Sequence, residues 1–486
     1  MLLQRVKPLS RLLAEAGDNN KSLKKTLGAG TLMAMGIGAI IGAGIFVLTG
    51  VAAATRAGPS LTLSFIVAGI ASAFAALCYS EVASRVPIAG SAYTFAYASL
   101  GEFIAWIIGW DLVLEYALGA STVSIAWAGY FTNFLKHFGL IVPMELQHNY
   151  WDVSPSGHPI HGIMNLPAFL IILLVGALLY RGTRESAIVN AVIVSIKVAI
   201  VLFFIAVGAG HVNVANWHPY FPFGITGMLG GAAFIFFAYI GFDAVSTAAE
   251  ETKNPQRDLP IGIIGSVVAC TILYIIVVAI LTGMVHYTHL NVAYPVAYAV
   301  EKVGLPGWMS LVISIGAIAG LTTVLLTMMF GQTRVFFAMS RDGLLPPVFS
   351  RIHSKFRTPG ISTIIFTIFI AMIAAFTPID VVGSLVNMGT LVAFILVSIS
   401  LPILRARYPA TKGFTVPFGP YVIPSLAALS ALGLIVSLAF GSPRIWGIPV
   451  PWFGFVVWLI IGLGVYFLYG RSHSHVGINE ASTPNA

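Results

Sequence analysis

The sequence predicts an all-α integral membrane protein, and three observations predict it. Only 9% of the 486 residues are charged while 58% are hydrophobic; a soluble domain carries roughly 25% charged residues because its surface must face water. Twelve stretches approach the roughly 20 apolar residues that a bilayer span requires. The segments between them alternate sharply in lysine and arginine, as the loops of a membrane-threaded chain do.

The spans run approximately 29–53, 60–83, 102–130, 165–180, 185–207, 225–249, 261–284, 306–338, 360–376, 381–404, 421–440 and 448–470. The third and eighth are long and should tilt or project beyond the bilayer; the fourth and ninth are short. An even count puts both termini on one side. That side holds twenty Lys and Arg, whereas the other holds four, Arg56, Lys136, Lys302 and Arg444. The bias predicts a multi-pass protein of the cytoplasmic (inner) membrane with both termini in the cytoplasm. Lys197, the remaining cation, falls inside the fifth span.

The net charge of +8 is thus distributed as loop charge, and no nucleic-acid partner is expected. Cys78 and Cys270 sit in apolar runs and read as buried small hydrophobes. The N-terminus shows no cleavable signal pattern, so the first span is expected to direct insertion. Residues 1–28 form a cytoplasmic segment in which 5–17 reads either as a basic amphipathic surface helix or as a disordered tail. The tail at 471–486 is polar and expected to be disordered. The external 131–164 loop is rich in His and aromatic residues, but no tight ligand spacing appears; interfacial aromatics and spare histidines are the expectation. HExxH, P-loop and GxSxG patterns are absent, so the chain is not expected to be an enzyme and no catalytic residue, metal site or cofactor is assigned.

Two spans are expected to break. In the first, GTLMAMGIGAIIGAGIFVLTG, four glycines cluster at 36, 38, 42 and 44. Each costs a helix about 1 kcal/mol against alanine. Single glycines in membrane helices serve close packing; four in nine residues point to an unwound segment, which a bilayer tolerates only where it is buried or lines a cavity. The sixth span carries Gly241 followed by Asp243. Interrupted spans at corresponding places in two halves point to a transporter site. Spans 1 and 6 each open a five-helix unit, 29–207 and 225–404. Five is odd, so the second unit is inverted relative to the first, with two helices appended at 421–470. A broken helix offers amides and a positive dipole end to a carboxylate, and carbonyls to an ammonium. Such a site holds an α-amino acid without a charged side chain.

These residues carry a family resemblance. GIGAIIGAGIF at 36–46, FFAYIGFDAVSTAAEE at 236–251 with NPQRDLPIGI at 254–263, YSEVASRVPIAGSAY at 79–93 and SRDGLLP at 340–346 resemble the signatures of amino acid–polyamine–organocation transporters, over about residues 26–470, and are most similar to the bacterial cationic amino acid transporter branch. The resemblance implies a ten-helix inverted-repeat core with spans 1 and 6 unwound. It places a midplane site between spans 1, 3, 6, 8 and 10. It implies that Ala43 and Gly44 present amides to a substrate carboxylate, with Gly42 and Gly44 admitting the substrate to the backbone. Ile40, Phe237, Ala238 and Ile240 would present carbonyls to the amino group, and Phe237 would close over the substrate. Position 43 is Ala where relatives often carry Ser or Thr, so a hydroxyl contact there is not available.

Lys197 is too deep to snorkel and costs at least about 2.5–3.5 kcal/mol at the bilayer centre. It reads either as a structural cation tying span 5 to carbonyls of spans 1 and 8 or as a proton carrier, in the place where sodium-coupled relatives of this fold hold their ion. Asp111 and Glu115 share one face of span 3. Glu115 is the candidate for reading a substrate side chain; Asp111 and Asp243 are auxiliary candidates. In span 8, Met328 is a candidate to point into the cavity by its distance from the GQTR stretch, where a flexible apolar side chain would disfavour a guanidinium. The reading is a proton-coupled, alternating-access carrier of broad L-amino acid specificity that includes small neutral amino acids and leaves cationic ones open. Its partners are the substrate, protons and membrane lipid; a small membrane subunit is left open. A dedicated arginine/lysine carrier or exchanger and a non-transporting sensor are the alternatives.

Overall fold

In a computed structural model of the chain, residues 5–7, 25–86, 91–152, 158–182, 187–408 and 413–476 are described. The amphipathic reading of 5–17, the tail beyond 476, Arg184, Lys412 and the centre of the 79–93 motif fall outside them. The described residues are overwhelmingly helical. Nine helical segments are long and apolar enough to cross a membrane, and three shorter apolar helices accompany them.

The first, α1 (Ala29–Ile40), stops where Ile41 turns extended at ψ 101°. A helical run of π and α turns resumes at 44–57 and ends at Gly58, whose φ of 63° suits glycine. Then follow α2 (Leu61–Arg85), α3 (Ser91–Ser99), α4 (Glu102–His137), α5 (Leu166–Arg181) and α6 (Ala187–Gly208). The second interrupted span begins with α7 (Gly224–Ile235), passes through a 3₁₀ turn Phe236–Tyr239, opens at Ile240 and Gly241, and continues as a 3₁₀ segment Asp243–Glu251. After it come α8 (Pro255–Met284), α9 (Pro295–Lys302), α10 (Gly307–Arg341), α11 (Gly360–Phe376), α12 (Ile379–Arg407), α13 (Gly419–Ser437) and α14 (Val450–Val465). A short hairpin, β1 (Arg444–Ile445) with β2 (Ile448–Pro449), joins the last two. Its turn, Trp446–Gly447, has positive φ at both residues, the geometry of a two-residue hairpin.

Helix lengths follow the expectation that spans 3 and 8 are long and 4 and 9 short. The α4 helix has 36 residues and α10 has 35, about 50 Å each at 1.5 Å per residue, well beyond a bilayer core. The α5 and α11 helices have 16 and 17. The α4 helix packs against α10 and α12, α8 against α1 and α2, and α5 against α11. Outward faces carry exposed Leu174, Ile364, Ile368, Leu429 and Ile460, the side chains of a surface solvated by lipid.

The described residues nearest the two termini, 5–7 and 471–476, meet at the head of α4. Buried Glu102 accepts from Arg5 at 3.4 Å, from the Tyr466 hydroxyl at 3.0 Å and from the Ser474 hydroxyl. Lys7 Nζ lies 3.1 Å from Asp342 Oδ1, and the His475 amide donates to the Asp342 carbonyl. The start of the tail, expected from its composition to be disordered, instead docks at Ser474 and His475 through these bonds to Glu102 and Asp342. A carboxylate buried at the head of α4 needs donors, and the tail hydroxyl is one of them. Glu81 accepts 2.6 Å bonds from Arg405, a 2.8 Å bond from Arg85 and the Val416 amide at 2.7 Å. These charge-assisted bonds tie α2 to α12 and the segment after it.

Candidate functional site

The two interruptions lie against each other. A Cβ at Gly44 would overlap Ala238, and one at Gly241 would stand 3.0 Å from Ala39 backbone atoms. Gly241 has φ 117°, so it is needed both for its conformation and for the approach. The four-glycine cluster divides in two. Gly42 and Gly44 sit at the break. Gly36 and Gly38 lie inside regular α1, where a Cβ would collide with Ser266 of α8 and Val194 of α6; those two serve close packing.

At the break a helix end and a helix start face one another. The start at 44 leaves its first amides without acceptors within the helix, and its dipole end favours negative charge. The Ile40 carbonyl ends α1 and accepts the Tyr274 hydroxyl at 2.9 Å; a carbonyl oxygen has two lone pairs and so can accept twice. The Phe237 carbonyl accepts the Ile240 amide at 3.2 Å. Ile40, Gly42, Ala43, Gly44, Phe237, Ala238 and Ile240 are all buried, so the junction is closed over.

The α10 helix supplies a third wall. Val324 stands opposite Gly42, with a Cβ there 3.5 Å away, and Met328 follows one turn on, its sulfur 2.8 Å from where a Cβ at Gly119 of α4 would be. Met328 thus faces α4 rather than lipid. Glu115 lies one turn from Gly119 on α4, buried, with Thr390 and Asp243 as neighbours. Asp111 lies one turn further, packed on Gly389 of α12, and neither carboxylate oxygen has a hydrogen-bond partner among the described residues. Asp243 follows the second break at the head of the 3₁₀ segment and is buried. Lys197 is outside the junction itself. Its Nζ donates to the Gly38 carbonyl at 2.7 Å, and its stem packs on Gly320 of α10. It ties α6 to α1 one turn before the break.

Sequence reading missed the polar groups that hold the broken backbone. Asn387 of α12 donates to the carbonyls of Ala233 and Phe234, at 2.9 and 2.6 Å, near the end of α7. Tyr130 of α4 donates to the Phe46 carbonyl at 2.7 Å, and Tyr274 of α8 serves Ile40. Their signal was a lone amide or hydroxyl in an apolar span, since freed backbone groups at membrane depth need protein partners. In the 131–164 segment, His148 pairs with Asp152 at 3.1 Å and His137 bonds the Asn133 carbonyl, while Tyr150 packs on Trp151 and His161. These histidines have local structural partners.

A helical membrane protein with two facing helix breaks, flanked by long helices that carry buried polar groups, belongs to the class of membrane carriers. The chain is more narrowly a member of the amino acid permease family, whose model matches residues 27–477, and is an amino acid transporter. Over 472 residues it is 49% identical to the branched-chain amino acid permease BcaP of Bacillus subtilis, covering 97% of this chain and 98% of that one. It is 47% identical over 473 residues to a methylthioribose transporter of the same organism, at 97% and 98% coverage. A vacuolar cationic amino acid transporter 4 of Arabidopsis thaliana is 40% identical over 395 residues, 80% of this chain and 64% of the plant protein.

Proposed function

We propose that this chain is a proton-coupled, alternating-access carrier of L-amino acids. Twelve spans are arranged as two inverted five-helix units, 29–207 and 225–404, with two helices appended and both termini in the cytoplasm. The observation that carries the reading is the contact of the two breaks at Gly44 and Ala238: it brings the amide-presenting start of one helix segment beside the carbonyl-bearing turn of another, a complement to the two ends of a zwitterionic α-amino acid. The amides of Ala43 and Gly44 bind the carboxylate, the carbonyls of Ile40, Phe237, Ala238 and Ile240 bind the ammonium, and Lys197 carries the coupled proton.

Topology is tested by labelling intact cells with a membrane-impermeant thiol reagent. Lys302 and Lys355 are both exposed and flank α10 at opposite ends. A cysteine at 302 should react from outside and one at 355 should be protected; external reaction at 355 overturns the orientation.

Two relatives of near-equal identity are named for chemically unlike substrates, so overall identity does not assign the side chain. Met328 and Glu115 provide the local reading. Met328 takes space beside Gly119 that a guanidinium would need, and it would desolvate that charge without a hydrogen bond in return. We expect alanine to compete at least as well as arginine. Met328→Ser should raise the arginine-to-alanine ratio about tenfold, near the low end of the cost of burying a polar group unpaired. Glu115→Gln should weaken arginine more than alanine. Competition for labelled uptake in proteoliposomes, with leucine and methylthioribose included, decides it. A wild type that ignores alanine, or an unchanged ratio in Met328→Ser, removes this account of selectivity. Failure of every amino acid to compete would remove the amino acid reading itself.

A further inference from the structure

The end of α5 takes part in two cavities that the junction of broken helices does not use. The first, of about 240 Å³, lies between the end of α5, α10 and the loop leading into α11, and Arg334, Arg357, Thr333 and Thr363 contribute to its wall. Arg334 lies over the Phe330 ring, 4.0 Å from its centroid, so its charged plane is held in place. The second is a groove of about 540 Å³ between α5 and α11, lined by Leu173, Ala177, Ile364 and Ile368 and bounded by Arg181 and Phe356. Ile364 and Ile368 are 48% and 54% exposed, on the surface that faces lipid.

One short loop forms part of both cavities. The Thr358 hydroxyl donates to the Tyr180 carbonyl at 2.7 Å, and the rings of His353 and Phe356 pack on Tyr180 at 5.5 and 5.7 Å. The basic cavity and the apolar groove therefore adjoin across a pinned wall. Among the described residues no carboxylate forms an ion pair with Arg181, Arg334 or Arg357. Arg181 thus bounds the apolar, membrane-facing groove, and Arg334 and Arg357 line the cavity beside it.

We propose that this is a binding site for an anionic phospholipid, with an acyl chain along the groove between α5 and α11 and the headgroup phosphate among Arg181, Arg334 and Arg357. The chemistry matches at both ends. Apolar walls replace the chain's lipid neighbours, and guanidinium groups suit a phosphate better than any other common side chain. A basic pocket between transmembrane helices on the cytoplasmic side recognises anionic headgroups. The assignment of that side rests on the orientation proposed above. A bound lipid would brace α10, the helix that carries Val324 and Met328, against α5 and α11.

The test uses the full chain, purified and delipidated in detergent, with phosphatidylglycerol and phosphatidylcholine of equal chain length, read by native mass spectrometry and by melting temperature. Phosphatidylglycerol should be retained and should raise the melting temperature; phosphatidylcholine should do neither. Neutralising Arg181→Gln, Arg334→Gln and Arg357→Gln together should lower phosphatidylglycerol affinity about a hundredfold, at roughly fivefold per arginine, while the three lysine replacements keep most of it. Ala177→Trp fills the groove from an exposed position without touching the arginines, and should also weaken the lipid. The proposal is overturned if the triple variant keeps its preference for phosphatidylglycerol, or if Ala177→Trp binds that lipid as the wild type does. It is overturned equally if inorganic phosphate alone reproduces the stabilisation, which would make the site a simple anion pocket. All these readouts are independent of transport, so they stand whether or not the chain moves amino acids.

Discussion

Replacing Gly44 with leucine is expected to abolish amino acid binding in a protein that still inserts and remains monodisperse. The side chain has no room: even a Cβ at 44 would overlap the Cα of Ala238, so the two broken helices must separate. Separation moves the amides at 43 and 44 away from the carbonyls of the other break, and one site can no longer hold both ends of a zwitterion. Hydrogen bonds to charged groups contribute about 1.5–3 kcal/mol each; losing two implies a fall in affinity of at least about 100-fold. The rest of the fold does not depend on that contact, because α1 is anchored independently through Gly36 against Ser266 and Gly38 against Val194. The check is ligand-induced thermal stabilisation, since a ligand that binds the folded state raises its melting temperature by mass action. A folded Gly44→Leu protein stabilised by substrate as the wild type is would take this contact out of the binding site.

The second large effect is expected at Lys197. Its ammonium is buried, donates to the Gly38 carbonyl at 2.7 Å and packs its stem on Gly320, so it bridges α6, α1 and α10 one turn from the break. If it carries the coupled proton, Lys197→Ala should end accumulation driven by an inward proton gradient. A one-unit gradient coupled one to one is worth about 1.4 kcal/mol, or a tenfold accumulation, and the variant should fall to equilibrium. Counterflow exchange, which needs no gradient, should survive. A purely structural tie would predict otherwise: both activities would fall together with the melting temperature, and Lys197→Met, which keeps the stem, would restore them. A strict sodium requirement with no response to pH would refute the proton reading.

Much of this architecture was legible in the primary structure because a bilayer imposes one-dimensional rules. Apolar length, loop cations and glycine interruptions are properties of a chain before it folds. They located the helices, the two unusually long ones, the two short ones and both breaks. The breaks were also over-read, since Gly36 and Gly38 remain helical. Glycine content records that space or flexibility is needed, and only the neighbour at each Cβ position distinguishes the two.

The chain alone settled the membrane class, the two stretches in which the backbone opens, residues 36–44 and around Gly241, and the depth of a cation at Lys197. Each follows from composition or local backbone preference set against the cost of unsatisfied polar groups in lipid. Which groups meet across the fold was set by packing in three dimensions. That packing set Gly44 on Ala238, turned Met328 toward Gly119 of α4, gave Asn387 to the carbonyls of Ala233 and Phe234, and brought Arg5, Tyr466 and Ser474 together at Glu102. These contacts join residues up to several hundred positions apart. Their partners are chosen by helix packing and by the need of each buried polar group for a donor or acceptor, neither of which leaves a local trace in the chain.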